Sequence, residues 1–264
     1  MEALVKTSYS TELVVLSYAI SVIGAFIALY SAGRLRPNMK NKRAYFFNVT
    51  SAGVALGGIG VWSMHFIAML AMRMDVGLGY SMWETLISLV AAIAISAFAF
   101  HIVALNPRSV TRLFSAGAML GMGAVVMHYL GMYGMRFGGY FQWDFLRVGI
   151  SVVIALAAAT VALWLAFNTK SLGSRLSAAF VMAIAVCAMH YTGMSAAEFV
   201  CTTENRLAIP AGSDIVSVLD LPMMVITLAL GMSIALLLDL AFVSMQDSAE
   251  ERLRQKDFVT SRMH

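Results

Sequence analysis

Residues 121–132 read GMGAVVMHYLGM, and the same pattern recurs without gaps at 58–69 as GIGVWSMHFIAM and at 183–194 as AIAVCAMHYTGM. Small residues open each copy, and each closes on Met-His-aromatic-x-small-Met. The histidines, His65, His128 and His190, are 63 and 62 residues apart. That period is the length of one helical hairpin with its connections, and self-similarity of this kind sets an architecture before any single element is assigned. Three repeated hairpins are expected.

Around the motifs the chain is apolar from end to end. With 60% hydrophobic and 12% charged residues and a mean hydropathy of +0.81, it has too little polar surface to cover a water-soluble globule. Stretches of about 20 apolar residues suffice to cross a hydrocarbon core as helices. Seven are read, at 11–33, 45–72, 82–105, 113–135, 148–168, 176–199 and 221–243. The fold class is therefore all-α: a polytopic membrane protein built as three hairpins plus a seventh helix. The first segment has no small-residue cleavage site behind it and is too long for a signal-peptide core, so it counts as a span.

Thirteen of the 18 Lys and Arg residues fall on one side, within 34–43, 108–112, 170–175 and the tail from 252 onward; Lys6, Arg73, Arg136, Arg147 and Arg206 fall on the other. Basic loops resist translocation, so the first set is expected in the cytoplasm, with the N-terminus outside and the C-terminus inside. Anionic lipid headgroups suffice as partners for that basic rim, and the net charge of +4 calls for no nucleic acid. Cys187 and Cys201 are too far apart along one helix to form a disulfide.

All three motifs lie on even-numbered spans and so share one direction. The first charged residue after each histidine comes eight positions later, at Arg73, Arg136 and Glu198, which puts the three imidazoles in one layer about 12 Å inside that boundary if the helices continue. Residues four apart stack on one helical face, pairing His65 with Met69, His128 with Met132 and His190 with Met194. Met72 and Met135 extend two of those faces by a turn. Met64, Met127 and Met189 point about 100° away. Imidazole and thioether form a soft to borderline donor set that suits copper, Cu(I) above all, better than Mg or Ca. The candidate ligands are thus His65, His128, His190, Met69, Met132, Met194, Met64, Met127 and Met189.

Other readings compete. Methionine packs helices without binding anything, whereas three intramembrane histidines in one motif call for partners. Those partners are a metal or a hydrogen-bond network through Tyr129, Tyr191 and Thr192. Haem ligated by two histidines is a third option, opposed by the small residues that bring the helices close. Cys187 could add a thiolate to one repeat only. His101 and Asp239 lie near the inner ends of their spans, outside the repeat. A copper transporter would need ligands at successive depths, and a metal-free anchor that dimerises an attached enzyme would need none. The tail from 246 to 264 reads as a charged helix growing from the last span.

These motifs resemble the MHYT domain, named for the tetrapeptide complete here as Met189-His190-Tyr191-Thr192 and varied as Met127-His128-Tyr129-Leu130 and Met64-His65-Phe66-Ile67. The resemblance covers residues 8 to 245 and implies a sensory domain over 1–245, with 246–264 as a linker helix, in a bacterial inner membrane. It further implies copper that detects oxygen, carbon monoxide or nitric oxide, and cytoplasmic GGDEF and EAL output domains that make and degrade cyclic di-GMP. Neither output sequence occurs here, so the expectation is a domain without enzymatic activity, separated from or made without its output.

Overall fold

Among the described residues, seven helices long and apolar enough to cross a membrane form the body of the computed structural model: Thr11–Gly33, Lys42–Ala71, Met82–Leu105, Val110–Tyr133, Phe145–Asn168, Leu172–Ser195 and Asp220–Val243. The structure describes residues 3–210, 212–217 and 220–261. Each boundary falls within four residues of the one read from hydropathy. Local chemistry sets the starts. Asn41, Ser109 and Asp144 cap their helices by accepting from the amides of Ala44, Arg112 and both Leu146 and Arg147, and Ser171 forms a reciprocal capping box with Ser174. The seventh helix continues unbroken from Asp220 to Ser261. Residues 262–264 of the expected linker lie outside the described residues.

Flanking the helices, among the described residues, are eight short strands that hydropathy did not reveal: β1 (Ala3–Leu4), β2 (Thr7–Tyr9), β3 (Met72–Met74), β4 (Leu78–Ser81), β5 (Met135–Phe137), β6 (Gly139–Trp143), β7 (Ala197–Cys201) and β8 (Ile215–Ser217). They obey the repeat. Each odd span among the first six is preceded by a strand that pairs antiparallel with the strand following the next even span: β2 with β3, β4 with β5, β6 with β7. Each unit is strand, helix, helix, strand. The amides of Ser10, Ser81 and Asp144 donate to the carbonyls of Ala71, Gly134 and Ala196, each at 2.8 Å. One backbone bond thus closes all three units at the motif end of the bundle. β1 and β8 then add to β7 and β4.

The strands correct one expectation. The motif helices stop at Ala71, Tyr133 and Ser195, so Met72 and Met135 lie in β3 and β5 and do not continue the histidine-bearing helical faces.

Small residues let the helices meet backbone to backbone. A Cβ built on Gly24 would strike the backbone of Ala55 and Gly60, and one on Gly121 would strike Ala155 and Leu156. The second span differs from the others in winding as a π-helix from Val54 to Ser63. Serines meet some of its carbonyls: Ser63 donates back to Gly58 at 2.9 Å, and Ser21 of the first span reaches Gly60 at 2.8 Å.

Candidate metal centre

The repeat brings the three motif histidines to one point. His65 and His128 are fully buried, and His190 is 1% exposed. Their ring centroids are 4.9, 5.0 and 5.0 Å apart, each pair edge to face at 77–87°. His65 Nδ1 lies 3.0 Å from His190 Nδ1 and 3.1 Å from His128 Nδ1. One potential ligand atom from each ring falls within 4.8 Å of the others, and the cluster so defined contains no carboxylate or thiol among the described residues.

Two of the histidines are seated by contacts from the following repeat. A Cβ on Gly131 would run into His65 Nε2, and one on Gly193 into His128 Nε2. The glycine three residues after one histidine is therefore the seat of the preceding repeat's ring; in the first repeat that position is Ala68. The motif aromatics Phe66, Tyr129 and Tyr191 stand edge-on to their own histidines at 4.9, 4.8 and 5.0 Å. Above them sit Tyr80, Trp143 and Tyr9, each from the strand entering the following repeat. The Tyr9 phenol lies outside the spans, where burial and then the neighbouring Tyr191 phenol raise its pKa.

A second set of anchors was not singled out from sequence. Ser17, Ser88 and Ser151 are each the seventh residue of an odd span, are buried, and donate to the carbonyl three residues earlier, at 2.8, 2.8 and 2.7 Å. That leaves the hydroxyl oxygen free to accept. Tyr129 OH lies 2.8 Å from Ser151 Oγ, Tyr191 OH lies 3.5 Å from Ser17 Oγ, and Trp62 Nε1 donates to Ser88 Oγ at 3.0 Å. The tyrosine hydroxyls therefore tie to serines, and the envisaged His–Tyr network is replaced by a serine belt. Trp62 supplies in the first repeat the donor that Phe66 lacks.

The polar accounting of the trio is incomplete without a guest. Where two neutral imidazoles face each other through Nδ1, only one can donate, and His65 faces two such neighbours. The three buried Nε2 atoms have no hydrogen-bond partner among the described residues; those of His65 and His128 point away from the centre onto Gly131 and Gly193, so the conflict that a guest can relieve is the one at Nδ1. A cation accepting the converging lone pairs removes the conflict. Nitrogen donors about 2.0 Å from one ion stand about 3.3–3.5 Å from each other, so the rings would need to part by only a few tenths of an ångström. The residues fit a metal ion. They do not fit haem, since the rings touch edge to face inside a closed shell with no slot for a macrocycle.

Met64, Met69, Met127, Met132, Met189 and Met194 are all buried, at 2% exposure or less. Met69, Met127, Met132 and Met194 belong to the main apolar core, whereas Met189 packs with Val125 and Ala155 in a separate cluster. Cys187 is half-buried and lines a groove between the first and sixth spans with Val14, Tyr18 and Tyr191. His101 Nδ1 is 2.8 Å from Tyr45 OH. Asp239 lines an open groove at the opposite end of the bundle with Arg34 and Arg43.

Known proteins place this architecture. Residues 58–116 and 121–179 match the family model described as the MHYT bacterial signalling protein N-terminal repeat. The chain is similar to the bifunctional diguanylate cyclase/cyclic di-GMP phosphodiesterase MucR of Pseudomonas aeruginosa, with 36% identity over 73% of this chain and 28% of that protein. The cyclic di-GMP phosphodiesterase NbdA of the same organism is 29% identical over 78% of the chain and 26% of its own length. The signaling protein YkoW of Bacillus subtilis is 28% identical over 74% and 25%. The chain spans about a quarter of the length of these relatives, and no solved structure matches it. With two tandem matches, a third motif completing the trio and seven apolar helices, the chain belongs to the MHYT family of multi-pass membrane signalling domains.

Proposed function

We propose that this domain is a membrane sensor in which His65, His128 and His190 hold one copper ion near the outer face of the bacterial inner membrane, with the N-terminus outside and the C-terminus in the cytoplasm. The signal is a diatomic gas (oxygen, carbon monoxide or nitric oxide) or the copper and redox state itself. The readout is a cytoplasmic output acting on cyclic di-GMP, and the domain itself performs no catalysis. The observation that carries this reading is the convergence of three buried imidazole nitrogens with no counter-charge.

The absence of a carboxylate from the cluster bears on the ion. Desolvation cost scales with the square of charge, so a divalent ion bears roughly four times the penalty of a monovalent one in a neutral, closed shell. Three imidazoles with methionines nearby thus favour Cu(I). Bound there, copper supplies a coordination position that a diatomic molecule can take.

The chain's own part is to convert a change at the trio into helix movement. His65 touches both other rings and sits on the second span, which packs against the seventh helix; a Cβ on Gly58 would lie 3.3 Å from Met232 Sδ. A shift of His65 is thereby delivered to the helix that runs on to Ser261. A ligand moves such an equilibrium only through its differential affinity for two arrangements. The names of two relatives, a bifunctional diguanylate cyclase/cyclic di-GMP phosphodiesterase and a cyclic di-GMP phosphodiesterase, support the output assigned here.

Transport is the weaker alternative. One helical turn below the histidines the same faces carry Val61, Ala124 and Val186, an apolar layer with no donor for a passing ion. The deciding experiment is metal analysis of the purified protein in detergent beside a His65, His128 and His190 triple alanine variant. Copper near one equivalent is expected in the wild type and loss in the variant. Equal copper in both, or a haem spectrum, overturns the proposal, and copper uptake into sealed vesicles redirects it to transport.

A further inference from the structure

Directly beneath the trio the bundle is not filled. A cavity of about 40 Å³ is lined by residues of the second, fourth, fifth and sixth spans. Val61, Ala124 and Val186 lie four residues before His65, His128 and His190, and Leu120 and Met182 lie eight before His128 and His190. All five line the cavity. Residues four and eight apart share a helical face, so the cavity runs from the fifth span to the axis of the threefold repeat, one to two turns under the imidazoles. Met189, adjacent to His190 in sequence, also lines it.

The chemistry of the lining fixes what the cavity can hold. Its walls are alanine, valine, leucine and methionine side chains, and they offer essentially no polar surface. A buried water requires two to four polar partners, which are missing, so the cavity is dry. At about 40 Å³ it exceeds the ~10–15 Å³ that a single water needs and falls well short of the ~150 Å³ apolar cavity that admits benzene. The matching class is an uncharged, apolar molecule of about two heavy atoms.

The cavity also has a mouth. Ala155, Ala159 and Ala162 on its wall are buried, whereas Ala158, Ala185 and Val186 are partly exposed between the fifth and sixth spans. That gap opens sideways toward lipid and away from the strand cap. The corresponding space between the second, third and fourth spans is only about 10 Å³. There Ile95 occupies the position that Ala158 takes in the next repeat, and it packs against Gly123. Of these two spaces, the one beside the fifth and sixth spans is the wider.

We propose that this axial cavity is a binding site for small apolar diatomic molecules that partition into the bilayer, enter between the fifth and sixth spans past Ala158, and reach the trio from its membrane-buried face. The cavity stands on its own lining, while delivery to the trio rests on the copper reading above.

The test uses the full chain in detergent or nanodiscs. Without metal, xenon-129 NMR should show saturable xenon binding in the wild type and its loss in Ala158→Phe, with Ala124→Leu as a second plug placed on the axis. A wild type without saturable binding, or plugged variants that bind as before, overturns the cavity site. In copper-loaded protein, carbon monoxide association should slow by about tenfold in Ala158→Phe at unchanged copper content. An unchanged rate overturns the delivery route. Copper-loaded wild type that binds no carbon monoxide overturns both the gas reading and delivery, and the xenon result then still decides the cavity.

Discussion

The first repeat and the other two place their histidines alike by different means. In the second and third repeats the motif helix is a regular α-helix, 44% and 28% of whose apolar window is buried; in the first it winds as a π-helix from Val54 to Ser63 and is 89% buried. Neighbours account for the burial: the second span is enclosed by the first and third spans and by the seventh helix, which packs on its Gly58 face. The histidine on this enclosed span is also the one that bonds to both others. Extended π-helical segments are rare and concentrate at functional sites. The difference teaches that the threefold repeat brings the histidines together, while its broken copy makes the contact with the seventh helix.

If the first repeat is the hub, its histidine should matter most. His65→Ala leaves His128 and His190 without their shared neighbour. Copper affinity measured by competition with a chelator should fall by about 1000-fold, ~4 kcal/mol. His190→Ala leaves the His65–His128 contact intact and should fall less. Equal losses would make the three positions equivalent and remove the hub. Gly131→Ala sharpens the comparison without deleting any ligand: its methyl displaces His65, and a loss of about 10- to 100-fold is expected, as for groups that orient ligands.

The second expectation concerns the exchanged anchor. Trp62→Val opens a cavity in the first repeat and takes the donor from Ser88; a stability loss of about 3–4 kcal/mol is expected in a detergent unfolding titration. Adding Phe66→Tyr converts the repeat to the Val125 and Tyr129 pattern, and the new phenol should bond Ser88 and recover about 1 kcal/mol. Phe66→Tyr alone should destabilise, because Trp62 already occupies the serine. An additive double variant would show that the two anchors are not interchangeable.

Much of this was legible in one dimension because the bilayer makes it so. Lipid requires long apolar helices, and the 63- and 62-residue spacing of the histidines marked both the hairpin unit and the layer in which they meet. The strands were not legible. At two to five residues they are too short to show alternation, and they exist because each unit must close its backbone bonds where the helices end. That closure is also why Met72 and Met135 left the helical face on which spacing alone had placed them. Nothing in VALGGIGVWS at 54–63 distinguishes a π-helix from an α-helix by pattern; the winding belongs to packing on the first, third and seventh helices. The serine belt was present in the sequence, one serine at the seventh place of each odd span, but it shows only when the odd spans are aligned with one another. Which methionines help hold an ion depends on side-chain directions that spacing does not encode.

That belt yields the smallest expected difference and the finest comparison of repeats. Ser151 meets Tyr129 at 2.8 Å, whereas Ser17 meets Tyr191 at 3.5 Å, the outer limit of a hydrogen bond. Interhelical hydrogen bonds in membranes average only ~0.6 kcal/mol, because partners are also found in the unfolded, membrane-inserted state. Ser151→Ala should therefore lower stability by about 0.5–1 kcal/mol and Ser17→Ala by less, both read from unfolding midpoints at constant slope. If Ser17→Ala costs as much as Ser151→Ala, the contact shortens in the membrane and the third repeat is anchored as firmly as the second. If neither variant shifts the midpoint, the edge-on rings and the glycine seats hold the histidines in place by themselves, and the serines serve only to satisfy their own helices.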